Sequence, residues 1–128
     1  MQIVFVVVLA LHALSAVFWA GTTFAIARSQ GQGLQALRLR QRGASIGAIV
    51  TGILLWGLAH RGGAGRYEIV LGVGALAALA AAALQFTSDR AGPAAEGERT
   101  SRMLRAQQRS AGLLALALLC MVLGRYAA

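Results

Sequence analysis

Charge is scarce in this 128-residue chain: only 12% of its residues are charged, about half the share of an ordinary soluble domain. Lysine is absent, so all twelve basic residues are arginines, set against four acids. A single cysteine, Cys120, excludes an internal disulfide framework. With 58% hydrophobic residues the chain is also no disordered polar segment. Its longest polar stretch, about 20 residues, falls well short of the roughly 50 that an extramembrane catalytic domain needs.

Most of the length lies in four apolar stretches: Gln2 to Ala27, Gly43 to His60, Tyr67 to Thr87, and Ser110 to Ala127. As helices rising about 1.5 Å per residue, each can cross a hydrocarbon core roughly 30 Å thick. The fold class expected is all-α: residues 1–128 form one integral membrane domain, a four-helix transmembrane bundle built from two tandem helical hairpins.

The net charge of +8 would suggest nucleic acid in a soluble protein. Here its distribution has another meaning. Arg28, Arg38, Arg40 and Arg42 lie between the first two spans, and Arg90, Arg99, Arg102, Arg105 and Arg109 between the last two, leaving Arg61, Arg66 and Arg125 on the opposite side. Nine against three orients the protein by the excess of basic residues in cytoplasmic loops. Both long loops are expected inside and both termini on the outer, periplasmic side of a bacterial inner membrane. No aromatic residues interleave with the arginines as a stacking platform, so nucleic acid is not an expected partner. Ala25-Ile26-Ala27 looks like a small-residue cleavage site, but the stretch before it has no arginine or lysine and is too long for a secretion signal, so it is expected to remain as the first helix.

Shifting the sequence by 67 positions places Leu9 on Leu76, Ala13 on Ala80, Ala16 on Ala83, Arg38 on Arg105, Arg42 on Arg109, Ala48 on Ala115 and Gly57 on Gly124. The pattern fits either an internal duplication or the chance likeness of two alanine-rich hairpins. Small residues at Gly43 and Gly47, Gly72 and Gly74, and Gly112, Ala115 and Gly124 are expected to let helix backbones approach one another. Asp89 to Glu98, with Gly92 and Pro93, is expected to be a mobile loop. Leu34 to Arg42 is expected as a short amphipathic piece on the inner surface.

An ionisable side chain inside a membrane is costly unless it has a partner or a task. His12 lies about 15 Å along the first helix, and Ser15, Trp19 and Thr22 or Thr23 follow it at helical spacing. It therefore heads a polar and aromatic face expected to point into the bundle. Two readings stand for it: a neutral histidine bonded to a neighbouring helix, or a ligand. Toward the outer side lie His60, Glu68, Cys120, Met121 and Arg125. Imidazole with a second histidine, a thioether or a thiol suits copper or haem iron. By depth, Met121 or Cys120 is better placed than His60 to meet His12. Glu68 is expected to pair with Arg66 or Arg125.

His12, Trp19 and Gly21 form the pattern H-x6-W-x-G, followed by Phe24 and Arg28, and this resembles the opening helix of the CopD-like and HemJ-like membrane protein superfamily. Thr51-Gly52-Ile53-Leu54-Leu55 looks like the second helix of those proteins, and Arg105 to Arg109 leading into an aliphatic helix looks like the last. The resemblance implies a haem or copper function with His12 at its centre. HemJ-type proteins are haem-binding protoporphyrinogen oxidases in which the histidine matching His12 is a ligand and a third-helix lysine also matters. Without a lysine, this chain is not expected to carry the oxidase activity. CopD-like proteins are associated with copper handling at the inner membrane.

For haem b held near His12, with Trp19 on the same face, Arg125 or Arg66 would meet the propionates better than the inner arginines. For copper, His12 with Met121, Cys120 or His60 would suffice. No nucleophile–base pair, carboxylate pair or phosphate loop lies in the spans, so catalysis is not expected. The alternative is a cofactor-free accessory subunit, packed against another membrane protein or further copies of itself.

Overall fold

The computed structural model describes residues 1–59, 65–90, 92–124 and 126. The described chain is helical: α1 spans Gln2–Arg28, α2 Leu34–Ala59, α3 Arg66–Arg90 and α4 Glu96–Gly124. All four helices are long and apolar enough to cross a membrane.

The helices outrun the apolar stretches at their polar ends. α2 runs unbroken from Leu34 through Gly43, so the expected surface piece is instead the first turns of α2. Asp89 and Arg90 belong to α3, and Glu96 already opens α4, which shortens the expected mobile loop to a connection of five residues. The cause is the difference between what a span and a helix require. Crossing a membrane needs apolar side chains, whereas extending a helix already nucleated needs only residues of good propensity. Arginine, glutamine, leucine and alanine fill these extensions. Glu96 and Glu98 in the first turn of α4 complement its N-terminal dipole, and Glu98 also pairs with Arg102 at 3.5 Å. At 29 residues α4 is about 43 Å long, well beyond a hydrocarbon core.

The helix ends are capped locally. After α1, Gln30 adopts left-handed φ (56°) and Gly31 follows at 88°; the Gly31 N–H donates to the Ile26 carbonyl at 3.0 Å, closing a Schellman-type turn. The Ser29 hydroxyl donates to the Gln32 carbonyl. Before α3, Glu68 reaches back to accept the Gly65 N–H, the second half of a capping box. This cap gives Glu68 a structural role beyond the expected arginine pairing.

Two compact units divide the chain: Met1–Thr22 with Leu34–Gly63, and Thr23–Gly33 with Ala64–Ala128. In the first, α1 and α2 approach where small residues allow it: a methyl group at Gly47 would sit 3.0 Å from the Ser15 hydroxyl, and one at Gly52 would sit 3.2 Å from the His12 ring. In the second, α3 and α4 close on Ala77, Ala81, Ala82, Leu114, Ala117 and Cys120, all buried. Gly74 lies against Cys120 and the Ala117 backbone, and Gly124 against Leu71 and Tyr67. Of the expected small-residue contacts, Gly47, Gly74 and Gly124 are made. Gly43, Gly72 and Gly112 face open space, because a helix turns 100° per residue and only one face can meet a given neighbour.

Buried polar groups link the helices of the second unit. Gln85 donates to the Thr23 hydroxyl at 3.1 Å and to the Gln107 carboxamide oxygen at 3.4 Å, and the Ser110 hydroxyl donates to the Ala81 carbonyl at 3.1 Å. Away from such contacts the surface is strongly apolar. Only 11% of the apolar window of α1, and 11% of that of α2, is buried, against 39% for α4. Ile3, Leu14, Val17 and Ile53 are exposed on these helices, as expected of surfaces that lie against lipid or another apolar partner.

Candidate cofactor-binding site

One face of α1 carries His12, Ser15, Trp19 and Thr23, while Phe5, Phe18 and Phe24 are exposed elsewhere on the helix. His12, Ser15, Ala16, Trp19, Ala20, Thr23 and Ile26 recur at intervals of three and four, and burial deepens along the series from half-buried His12 to fully buried Thr23 and Ile26. The face expected from spacing is therefore present, with Thr23 rather than Thr22 upon it. Thr22 turns its hydroxyl to its own helix, donating to the Phe18 carbonyl at 2.8 Å. Trp19 is 2% exposed. Two turns separate it from His12 along the same face.

His12 is held by α2. Its Nδ1 lies 2.9 Å from the Ala48 carbonyl oxygen and 3.2 Å from the Thr51 hydroxyl. A carbonyl can only accept, so Nδ1 carries a proton and donates it. Thr51 is anchored in turn, its hydroxyl donating to the Gly47 carbonyl at 2.6 Å. Ser15, one turn from His12, sits against Gly47. Both expected readings of His12 thus begin from one geometry: Nδ1 is bonded to a neighbouring helix, and in the neutral ring Nε2 keeps an in-plane lone pair. Among the described residues Nε2 has no hydrogen-bond partner.

Two further candidates belong to the second unit. Cys120 is buried on the α3-facing side of α4, its Cβ 2.9 Å from where a methyl group at Gly74 would stand. Met121, a further 100° around that helix, is 38% exposed. His60 and Arg125 lie outside the described residues. Among the described residues no group of three or more His, Cys, Asp or Glu side chains is placed to hold a metal ion. A haem with one axial protein ligand, or a copper(I) ion of low coordination number, requires no such group.

Spacing along α1 could not disclose the α2 partners. Ala48 takes part through its carbonyl, Gly52 through its missing side chain, and neither contribution leaves a mark in composition. Thr51 offered the one signal, a hydroxyl inside an apolar run. Gln85 was legible in the same way, as an amide in an alanine-rich span. Gln107 lies before the last apolar stretch, where a polar residue attracts no notice.

Comparison with family models, with curated proteins and with solved structures finds no match to this chain.

Proposed function

We propose that this chain is a multi-pass protein of the bacterial inner membrane, a four-helix bundle that binds haem b or copper through His12, with both long arginine-rich loops on the cytoplasmic side. The observation that carries this reading is the state of the His12 ring. Its Nδ1 lies within hydrogen-bond reach of the Ala48 carbonyl and the Thr51 hydroxyl, while Nε2, half-buried on an apolar helix, has no hydrogen-bond partner among the described residues, which in the neutral ring leaves its lone pair open. A metal-ligating imidazole has this arrangement: one nitrogen binds the metal and the other donates to a carbonyl that fixes the ring. The likeness of the first helix to CopD-like and HemJ-like proteins supports it, as do four helices suited to a membrane. Bound iron or copper would supply electron transfer or metal carriage. His12 supplies the ligand nitrogen, and Trp19, buried on the same face, contributes apolar enclosure.

A second reading, a cofactor-free accessory subunit, is favoured by a different observation. The windows of α1 and α2 are mostly exposed apolar surface, and Gly21, Gly43 and Gly57 leave open space at which another backbone could approach. Protein purified in mild detergent separates the two readings. A Soret band or stoichiometric copper, lost in His12→Ala while membrane insertion persists, is the expected result. Full cofactor occupancy in His12→Ala would overturn the ligand role, and a protein free of both haem and copper would leave the accessory reading standing.

A further inference from the structure

We infer that Ala48, Thr51 and Gly52 form a dock on α2 that selects the tautomer and direction of His12, with Thr51 and Gly52 as positioning residues. The inference rests on the ligand reading of His12, but concerns a property of the cofactor-free protein.

In a helix the carbonyl of residue i already accepts the N–H of residue i+4, and it is flanked by the side chains at i+3 and i+4. A side chain from another helix reaches that oxygen only where one flank is open. At Ala48 the flanking positions are Thr51 and Gly52. Gly52 opens one side: a methyl group there would stand 3.2 Å from the His12 Cε1 and 3.5 Å from Nδ1, tighter than relaxed carbon contacts of about 3.5–4.0 Å. Thr51 closes the other side with an oxygen 3.2 Å from Nδ1. That hydroxyl is itself aimed, because its proton goes to Gly47 at 2.6 Å, which turns a lone pair toward the imidazole. The ring thus meets two acceptors at one nitrogen and no donor at the other. Only the Nδ1–H tautomer satisfies this arrangement, and it leaves Nε2 as the atom that can bind a metal.

The dock also explains the placement of a glycine and a threonine side by side in an otherwise aliphatic stretch. Substituting either acts on His12 without touching the ligand itself. Outer-shell partners of this kind change metal affinity by about 10- to 100-fold when removed.

The test is nitrogen NMR of detergent-solubilised protein carrying 15N-labelled histidine, prepared without haem or copper, with His12 identified by its loss in His12→Ala. Wild type should show a protonated Nδ1 and an unprotonated Nε2. Gly52→Val should displace the ring and lower the Nδ1–H to Nε2–H ratio about fivefold, the worth of one neutral hydrogen bond. Gly52→Ala should give a smaller fall in a protein that stays folded. Thr51→Val should lower the ratio and Thr51→Ser should restore it, an outcome that a purely space-filling role for Thr51 would not produce. A wild-type ring protonated at Nε2 would overturn the dock. So would a ratio indifferent to both glycine substitutions. Observation of the dock in a protein that takes up neither haem nor copper would leave the inference intact and remove the cofactor reading alone.

Discussion

The contact of α3 with α4 at Gly74 provides a quantitative test of how the second unit is held together. A methyl group added at Gly74 would lie 2.9 Å from the Cys120 Cβ and 3.3 Å from the Ala117 carbonyl oxygen. Neither atom is the free end of a flexible side chain, so relief requires the two helices to separate. Restoring an ordinary carbon–carbon contact takes about 0.7 Å, enough to forfeit a quarter to a half of the dispersion well for neighbouring pairs. Overpacking of this kind costs about 1–3 kcal/mol. Gly72, on the same helix, faces open space, and alanine there should be nearly neutral, because a denatured state that keeps its helices cancels most of the propensity gain. At Gly124 the nearest atom is the Leu71 Cδ1, at 2.7 Å. That side chain can swing aside for about 0.5–1.5 kcal/mol. The expected order of stability is therefore Gly72→Ala, then Gly124→Ala, then Gly74→Ala. It would be measured by reversible unfolding in mixed micelles, where the denatured state stays largely helical and the differences report packing. Gly74→Ala matching or exceeding Gly72→Ala in stability would refute the close approach of these helices.

Gln85→Leu removes the donor shared by Thr23 and Gln107 and should destabilise the same unit by about 1–3 kcal/mol, whereas Ser110→Ala, which deletes a single bond to Ala81, should cost nearer 0.6 kcal/mol, both in the same unfolding assay. Gln30 holds a left-handed backbone at φ 56° in the turn after α1. Gln30→Gly should therefore be neutral or stabilising by up to about 1 kcal/mol, and a clear loss in melting temperature would contradict the Schellman-type cap.

The apolar stretches were legible because a hydrocarbon core demands a run of apolar side chains of a minimum length, and such a run cannot be hidden. Helix ends were less so. Leu34 to Arg42 and Glu96 to Arg109 are polar enough to look like loops, yet they extend α2 and α4, since a helix once nucleated continues through residues that no membrane would accept. His12 stood out as an imidazole in an apolar run, and its helical spacing to Trp19 and Thr23 correctly marked the face that is buried. Its partners on α2 did not stand out, because a backbone carbonyl and an absent side chain have no sequence signature of their own. Small residues were visible as a class, but spacing did not separate the glycines in contact, Gly47, Gly52, Gly74 and Gly124, from Gly43, Gly72 and Gly112, which face open space.

From composition and order alone, then, follow four helices long and apolar enough to cross a membrane, the uneven spread of arginine between their ends, and an isolated imidazole partway along the first. These depend on solvation, a property that each segment carries by itself. Which glycine touches which neighbour, and which nitrogen of His12 is left with its lone pair, were decided only when α1 met α2 and α3 met α4. Rotation about a helix axis and offset along it are settled by atoms from two distant parts of the chain acting together.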